Sequence, residues 1–176
     1  MNTKFSRVQI LLHWAIFILI VFTYAAMELK GLTQKGSNGR EWMNTTHYTL
    51  GFTVFVLMIF RVYLKIKNKY PPIHPQPPRW QIILAKTMHG VLYLIFISLP
   101  IFGVLSLYYG SVEWSFFSYV MPIADVKNSN MQHNLKEIHE LVANAGYFII
   151  GLHAAAALFH HYIIRDNTLI RMSPGK

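Results

Sequence analysis

Four long apolar runs constrain this chain more than any other feature. They extend from about Val8 to Met27, Met43 to Ile66, Gln81 to Tyr109 and Ile138 to Ile164. A helix rises ~1.5 Å per residue, so roughly 20 apolar residues cross the ~30 Å hydrocarbon layer of a bilayer. Each run reaches that length, and the surplus implies tilt or ends that emerge among the headgroups. Composition agrees: 53% of the residues are hydrophobic and 13% charged, and the apolar ones are gathered in runs where a globular chain would spread them. The expected fold is all-α, an integral membrane four-helix bundle formed as one domain by residues 1–176. The first run, behind Lys4 and Arg7, is too long for the apolar part of a signal peptide and carries His13 and Trp14, so it is expected to stay in the mature bundle.

The connections set the orientation. The second, Tyr70-Pro71-Pro72-Ile73-His74-Pro75-Gln76-Pro77-Pro78, cannot continue a helix and reads as a short, stiff surface link. The N-terminus, this link with its flanks, and the C-terminus hold Lys4, Arg7, Arg61, Lys65, Lys67, Lys69, Arg79, Lys86, Arg165, Arg171 and Lys176 against Asp166 alone. The other side holds Lys30, Lys35, Arg40, Lys127 and Lys136 against six acidic residues. The positive-inside rule then places both termini in the cytoplasm, with the first and third connections facing the other side, which in a bacterial inner membrane would be the periplasm. The net charge of +9 does not point to nucleic acid, because the basic residues flank apolar spans and form no face of a soluble fold.

The chain has no cysteine, which excludes disulfides, thiolate metal sites, iron–sulfur clusters and covalent c-type haem. Histidine remains as the strong ligand. By helical rise, His13 lies roughly 8 Å inside the cytoplasmic face and His47 roughly 6 Å inside the outer face. The fourth span carries His139 near its outer end and His153 fourteen residues later, about 21 Å below it and about 40° around the helix. Depth therefore pairs His47 with His139 and His13 with His153, two separate axial-ligand sites for two haem groups. Zinc or copper would need its donors gathered round one ion. His89, on the third span, competes with His13 as partner of His153, and the estimated level favours His13. Gly146, midway between His139 and His153, would leave room between two macrocycles or serve helix packing. His160 continues the same stripe one heptad below His153, where it would meet either a quinone carbonyl or the headgroup layer.

The segment Ser6-Arg7-Val8-Gln9-Ile10-Leu11-Leu12-His13-Trp14, then His139-Glu140, the run Gly146 to Tyr162 and the closing Asp166-Asn167-Thr168-Leu169-Ile170-Arg171-Met172 resemble the bacterial cytochrome b561 family over essentially the whole chain. The resemblance implies a four-helix cytochrome with two non-covalent b-type haems on His13, His47, His139 and His153. Superoxide oxidases of that family pass electrons from periplasmic superoxide through both haems to ubiquinone. Other members relay electrons from quinol to a separate dehydrogenase or hydrogenase partner. A membrane metal sensor or transporter built on the same histidines is the non-redox alternative.

Arg7, at the cytoplasmic level, would orient a haem propionate or the quinone, or else only satisfy the positive-inside rule. An anionic donor favours a positive field on the outer side, whose charges nearly balance, and sequence alone does not gather its lysines and arginines. Trp14, Trp42, Trp80 and Trp114 are expected in the interfacial belt. The segment from Glu113 to Met121 is expected to cap the outer haem or to lie on the surface.

Overall fold

The computed structural model describes residues 4–68 and 70–174, so Lys69 and Lys176, counted above in the cytoplasmic charge, lie outside the described residues. Four helices dominate: α1 (Arg7–Lys30), α2 (Asn38–Lys67), α3 (Arg79–Tyr109) and α4 (Ser129–Phe159). All four are long and apolar enough to cross a membrane. A bilayer offers the backbone no hydrogen-bond partner, so the helices satisfy their own N–H and C=O groups.

Local chemistry fixes the ends. Ser6 and Gln9 form a capping box at the start of α1, while Ser37 and Asn128 accept bonds from backbone N–H groups in the first turns of α2 and α4. The proline link cannot be helical, and α3 begins directly after Pro78. Each chain-adjacent pair, α1 with α2 and α3 with α4, packs along its length, and α2 against α3 joins the pairs.

The core is a narrow apolar seam of Leu12, Ile16, Ile20, Val54, Met58, Ile95, Phe96 and Leu99. Large apolar side chains point outward in number, Leu11, Leu94 and Phe148 among them at 65%, 69% and 80% exposed. Such a surface is stable against lipid, not water.

The end carrying both termini, here the terminal end, is knitted by polar contacts. Trp14 Nε1 donates to the Met172 carbonyl at 2.8 Å, Phe5 N to the Arg171 carbonyl at 3.2 Å, and Arg171 to the Pro71 carbonyl. His74 and Asn167 exchange two bonds between the proline link and the tail. At the far end a two-stranded hairpin, β1 (Ser115–Phe116) with β2 (Tyr119–Val120), follows α3. Trp114 beside it corrects the belt expectation. It is 9% exposed and packs inward against Tyr48 and Phe52, whereas Trp42 and Trp80 are exposed as belt residues are.

Candidate functional site

At the far end α2 brings His47 and α4 brings His139 to a ring-centroid separation of 6.0 Å, the rings crossing at 77°. His47 Nδ1 donates to the Thr23 carbonyl at 3.0 Å and His139 Nδ1 to the Leu99 carbonyl at 2.8 Å. A carbonyl oxygen only accepts, so both protons sit on Nδ1 and each Nε2 keeps its lone pair. That tautomer, with its outer N–H held by the backbone, is the one metal-bound histidines use.

Glycine shapes the same place. A Cβ on Gly103 of α3 would stand 3.2 Å from His139 Cε1 and 3.3 Å from its Nδ1. Because the Leu99 bond fixes that ring, Gly103→Val is expected to push it off axis, costing about 1–3 kcal/mol in overpacking. Ring resonances of His139 in the purified variant should show the Leu99 bond weakened or lost; an unchanged ring would refute the steric argument.

A cavity of ≈ 690 Å³ surrounds this pair, within the range of cofactor pockets. Trp114 and Tyr48 line one side, and Lys30, Arg40 and Lys136 line it together with Glu28 and Glu140. Arg40 is pinned by bonds to the carbonyls of Lys30 and Thr33, both at 3.3 Å. Glu28 accepts a 2.8 Å bond from the Tyr147 hydroxyl.

At the terminal end His13 of α1 and His153 of α4 stand 6.3 Å apart, centroid to centroid, at 85°. His89 of α3 is 5.5 Å from the same His153 ring, so both candidate partners are within reach. Arg61, well inside α2, points its NH1 at His13 Nδ1 at 2.8 Å. Guanidinium only donates, so His13 Nδ1 accepts here, unlike the two far-end rings. Among the described residues no three of His, Cys, Asp and Glu converge to hold a bare metal ion.

Gly146 is explained by helix packing. The place a Cβ would take is occupied by Tyr24, whose hydroxyl donates to the Ala143 carbonyl at 2.9 Å. Arg7 opens α1 with an exposed side chain. His160 begins a π-helical turn, His160–Ile164, and its Nδ1 lies 2.6 Å from Asp166 Oδ2. Burial alone would raise the Asp166 pKa, but hydrogen bonds from His160 and Thr168, with the charge of His160, outweigh it and hold the carboxyl below its usual range. A carboxylate depressed in the folded state contributes stability above its unfolded pKa of about 3.9 and loses it as pH falls through the folded value. The Asp166 contribution is therefore expected to persist down to about pH 4, readable as unchanged protection from proteolysis near Asn167 to that pH; release already at pH 6 would contradict the pairing.

Two residues of these clusters escape a reading by spacing. Arg61 lies inside the Met43 to Ile66 run and counts with the flanking charge, and no spacing signals its contact with His13. Asp166, the lone acidic residue among the terminal-end charges, carried the available signal.

The sequence profile of the prokaryotic cytochrome b561 family matches residues 4–175. The chain is 46% identical over 173 residues to cytochrome b561 homolog 1 of Escherichia coli, covering 98% of each. It is 40% identical over 176 residues to the probable superoxide oxidase CybB of Yersinia pestis, covering 100% of this chain and 99% of the relative. Cytochrome b562 of Cereibacter sphaeroides is 27% identical over 172 residues, 96% of this chain and 94% of the relative.

Proposed function

Because the chain belongs to the prokaryotic cytochrome b561 family, we propose that it is a di-haem superoxide oxidase, taking electrons from superoxide at the far end of the bundle and delivering them to ubiquinone at the terminal end. Family membership makes it a multi-pass bacterial membrane protein that binds haem b and transfers electrons. The ligand assignment, His47 with His139 and His13 with His153, belongs to the proposal, as does an orientation with both termini in the cytoplasm.

The spacing of the two imidazole pairs carries this reading. A metal–imidazole bond is about 2.0 Å, and with half a ring on each side a bis-histidine iron holds ring centroids on the order of 6 Å apart. The pairs at 6.0 and 6.3 Å fit that span, and His89 to His153 at 5.5 Å falls short of it. The Nδ1 anchors on the Thr23 and Leu99 carbonyls supply the outer bonds such ligands need. His13 differs from them, since its Nδ1 accepts from Arg61 and has no carbonyl anchor among the described residues.

Haem, when bound, supplies a one-electron couple whose potential is set by its ligands and by nearby charge. Lys30, Arg40 and Lys136 outnumber Glu28 and Glu140 by one around the far-end cavity, with Lys136 paired to Glu140 at 3.4 Å, so the field offered to a small anion there is weakly positive. Trp114 narrows access there. Val54, Met58, Ile95 and Phe96 keep water from the middle of the bundle. At the terminal end the Arg61 cation favours the reduced state beside His13, which draws electrons inward. Two superoxide anions leave as two molecules of dioxygen, and one quinone takes up both electrons with two protons. The relative named a probable superoxide oxidase supports this donor.

Stopped-flow absorbance on the purified, quinone-loaded protein after a superoxide pulse tests it, with quinol and dioxygen followed in parallel. Rapid haem reduction, then quinol, and a rate that falls as salt screens the three cations are expected. Haems that ignore superoxide but are reduced by quinol would reverse the direction and assign the chain to a separate dehydrogenase or hydrogenase partner.

A further inference from the structure

The end of α4 is built around a buried carboxylate. After the π turn Arg165 takes a left-handed conformation, φ 60°, which folds the chain back so that Asp166 N bonds the His160 carbonyl at 3.1 Å. That reversal puts the Asp166 side chain, 0% exposed, against His160 Nδ1 at 2.6 Å. Its other oxygen accepts the Thr168 N–H at 2.8 Å. Asp166 thus has no freedom to turn, and His160, 20% exposed at the side chain, keeps Nε2 as its unengaged nitrogen. Around the pair stand Arg171, engaged with Pro71, His161 on the same turn, and His74 through its bonds to Asn167.

A carboxylate bonded to Nδ1 fixes the imidazole rotamer and stabilises the imidazolium, so that Nε2 becomes a positioned proton donor. Burial strengthens this effect by removing competing water. The alternative, a salt bridge that only fastens the tail, does not need an ionisable partner, since the tail is already held by Trp14, Arg171 and Asn167.

We propose that Asp166 is a positioning residue that holds His160 as the proton donor to the quinone, making the end of α4 a proton-delivery dyad. The inference rests on the reading above that quinone is reduced at the terminal end. The quinone receives two electrons through the protein. His160 Nε2 gives a proton to one carbonyl oxygen, is reprotonated from water at the terminal face, and gives a second to the other oxygen as the quinol turns or leaves. Asp166 stays ionised throughout.

The test uses the haem-loaded full chain in lipid nanodiscs, reduced with dithionite and mixed with a short-chain ubiquinone between about pH 5 and 9. The expected rate of haem reoxidation falls at least tenfold in Asp166→Asn, with an unchanged haem spectrum, and Asp166→Glu restores part of it. The pH profile of Asp166→Asn differs from that of the wild type. A profile and rate unchanged in Asp166→Asn, with reoxidation abolished in His160→Gln, would overturn the dyad and leave the quinone reading intact. Full reoxidation in His160→Gln would remove His160 from quinone chemistry and the dyad with it. If Asp166→Asn does not retain haem, Asp166→Glu decides: slowed reoxidation with an intact haem spectrum supports the dyad, and reoxidation at the wild-type rate refutes it.

Discussion

Replacing His139 with alanine is expected to lower the haem content of the purified protein from two per chain to one, while the remaining haem keeps its spectrum and is still reduced by dithionite. The ring at His139 is held by the Leu99 carbonyl and walled by Gly103, which fixes its position on the cavity. The other imidazole of that pair, His47, is tied to Thr23 and cannot supply two axial bonds. His47→Ala should give the same product, and the identity of the two phenotypes is the stronger check, since a merely destabilising substitution would not remove the same half of the haem from both. Superoxide should no longer reduce either variant, because its entry point is the lost site. Haem extracted as the pyridine adduct and counted against protein settles the matter. Two haems per chain in His139→Ala would separate the far-end pair from haem ligation and leave its spacing without a purpose.

How far the sequence reached depends on what each residue answers to. The four spans were legible because the bilayer imposes one length and one polarity on everything that crosses it, whatever packs beside it. The far-end pairing was legible too. Depth along a helix follows from residue count, and both His47 and His139 lie near one face. Gly146 was not, because a small residue on a histidine-bearing stripe has the same sequence signature whether its neighbour is a macrocycle or the Tyr24 hydroxyl. Trp114 was missed for a related reason. Interfacial position predicts a belt residue, but the hairpin after α3 turns this indole inward over Tyr48 and Phe52. Lys30, Arg40 and Lys136, far apart in sequence, meet only because α1, α2 and α4 end at one level around the cavity. Asp166 reached His160 through a π turn and a left-handed Arg165, neither of which is written in any periodicity.

The terminal-end pair, where His13 and His89 both reach His153, carries the other large expected effect. Depth favoured His13 over His89 by about one helical turn. The structure puts both beside His153, at 6.3 and 5.5 Å, and adds Arg61 at His13 Nδ1. On the proposed His13–His153 assignment, His13→Ala is expected to remove the terminal-end haem and halve the haem content, while His89→Ala keeps both haems. The role left to His89 is to crowd His153 from the α3 side, and its loss should change the potential of the retained haem without releasing it. Arg61→Leu should move the same haem in a known direction. Withdrawing a cation from beside a ligand disfavours the reduced form, and a tenfold change in the reduced-to-oxidised ratio would appear as about 59 mV in a one-electron titration. Far-end haem should titrate unchanged in both variants, since α2 places Arg61 near the opposite end of the helix from His47. Haem lost from His89→Ala and kept in His13→Ala would exchange the two histidines, and Arg61 would then be bound to a ring that holds no iron. Its cation would still lie at the terminal end, so the direction of the shift in Arg61→Leu would survive the exchange while its size fell with the added distance.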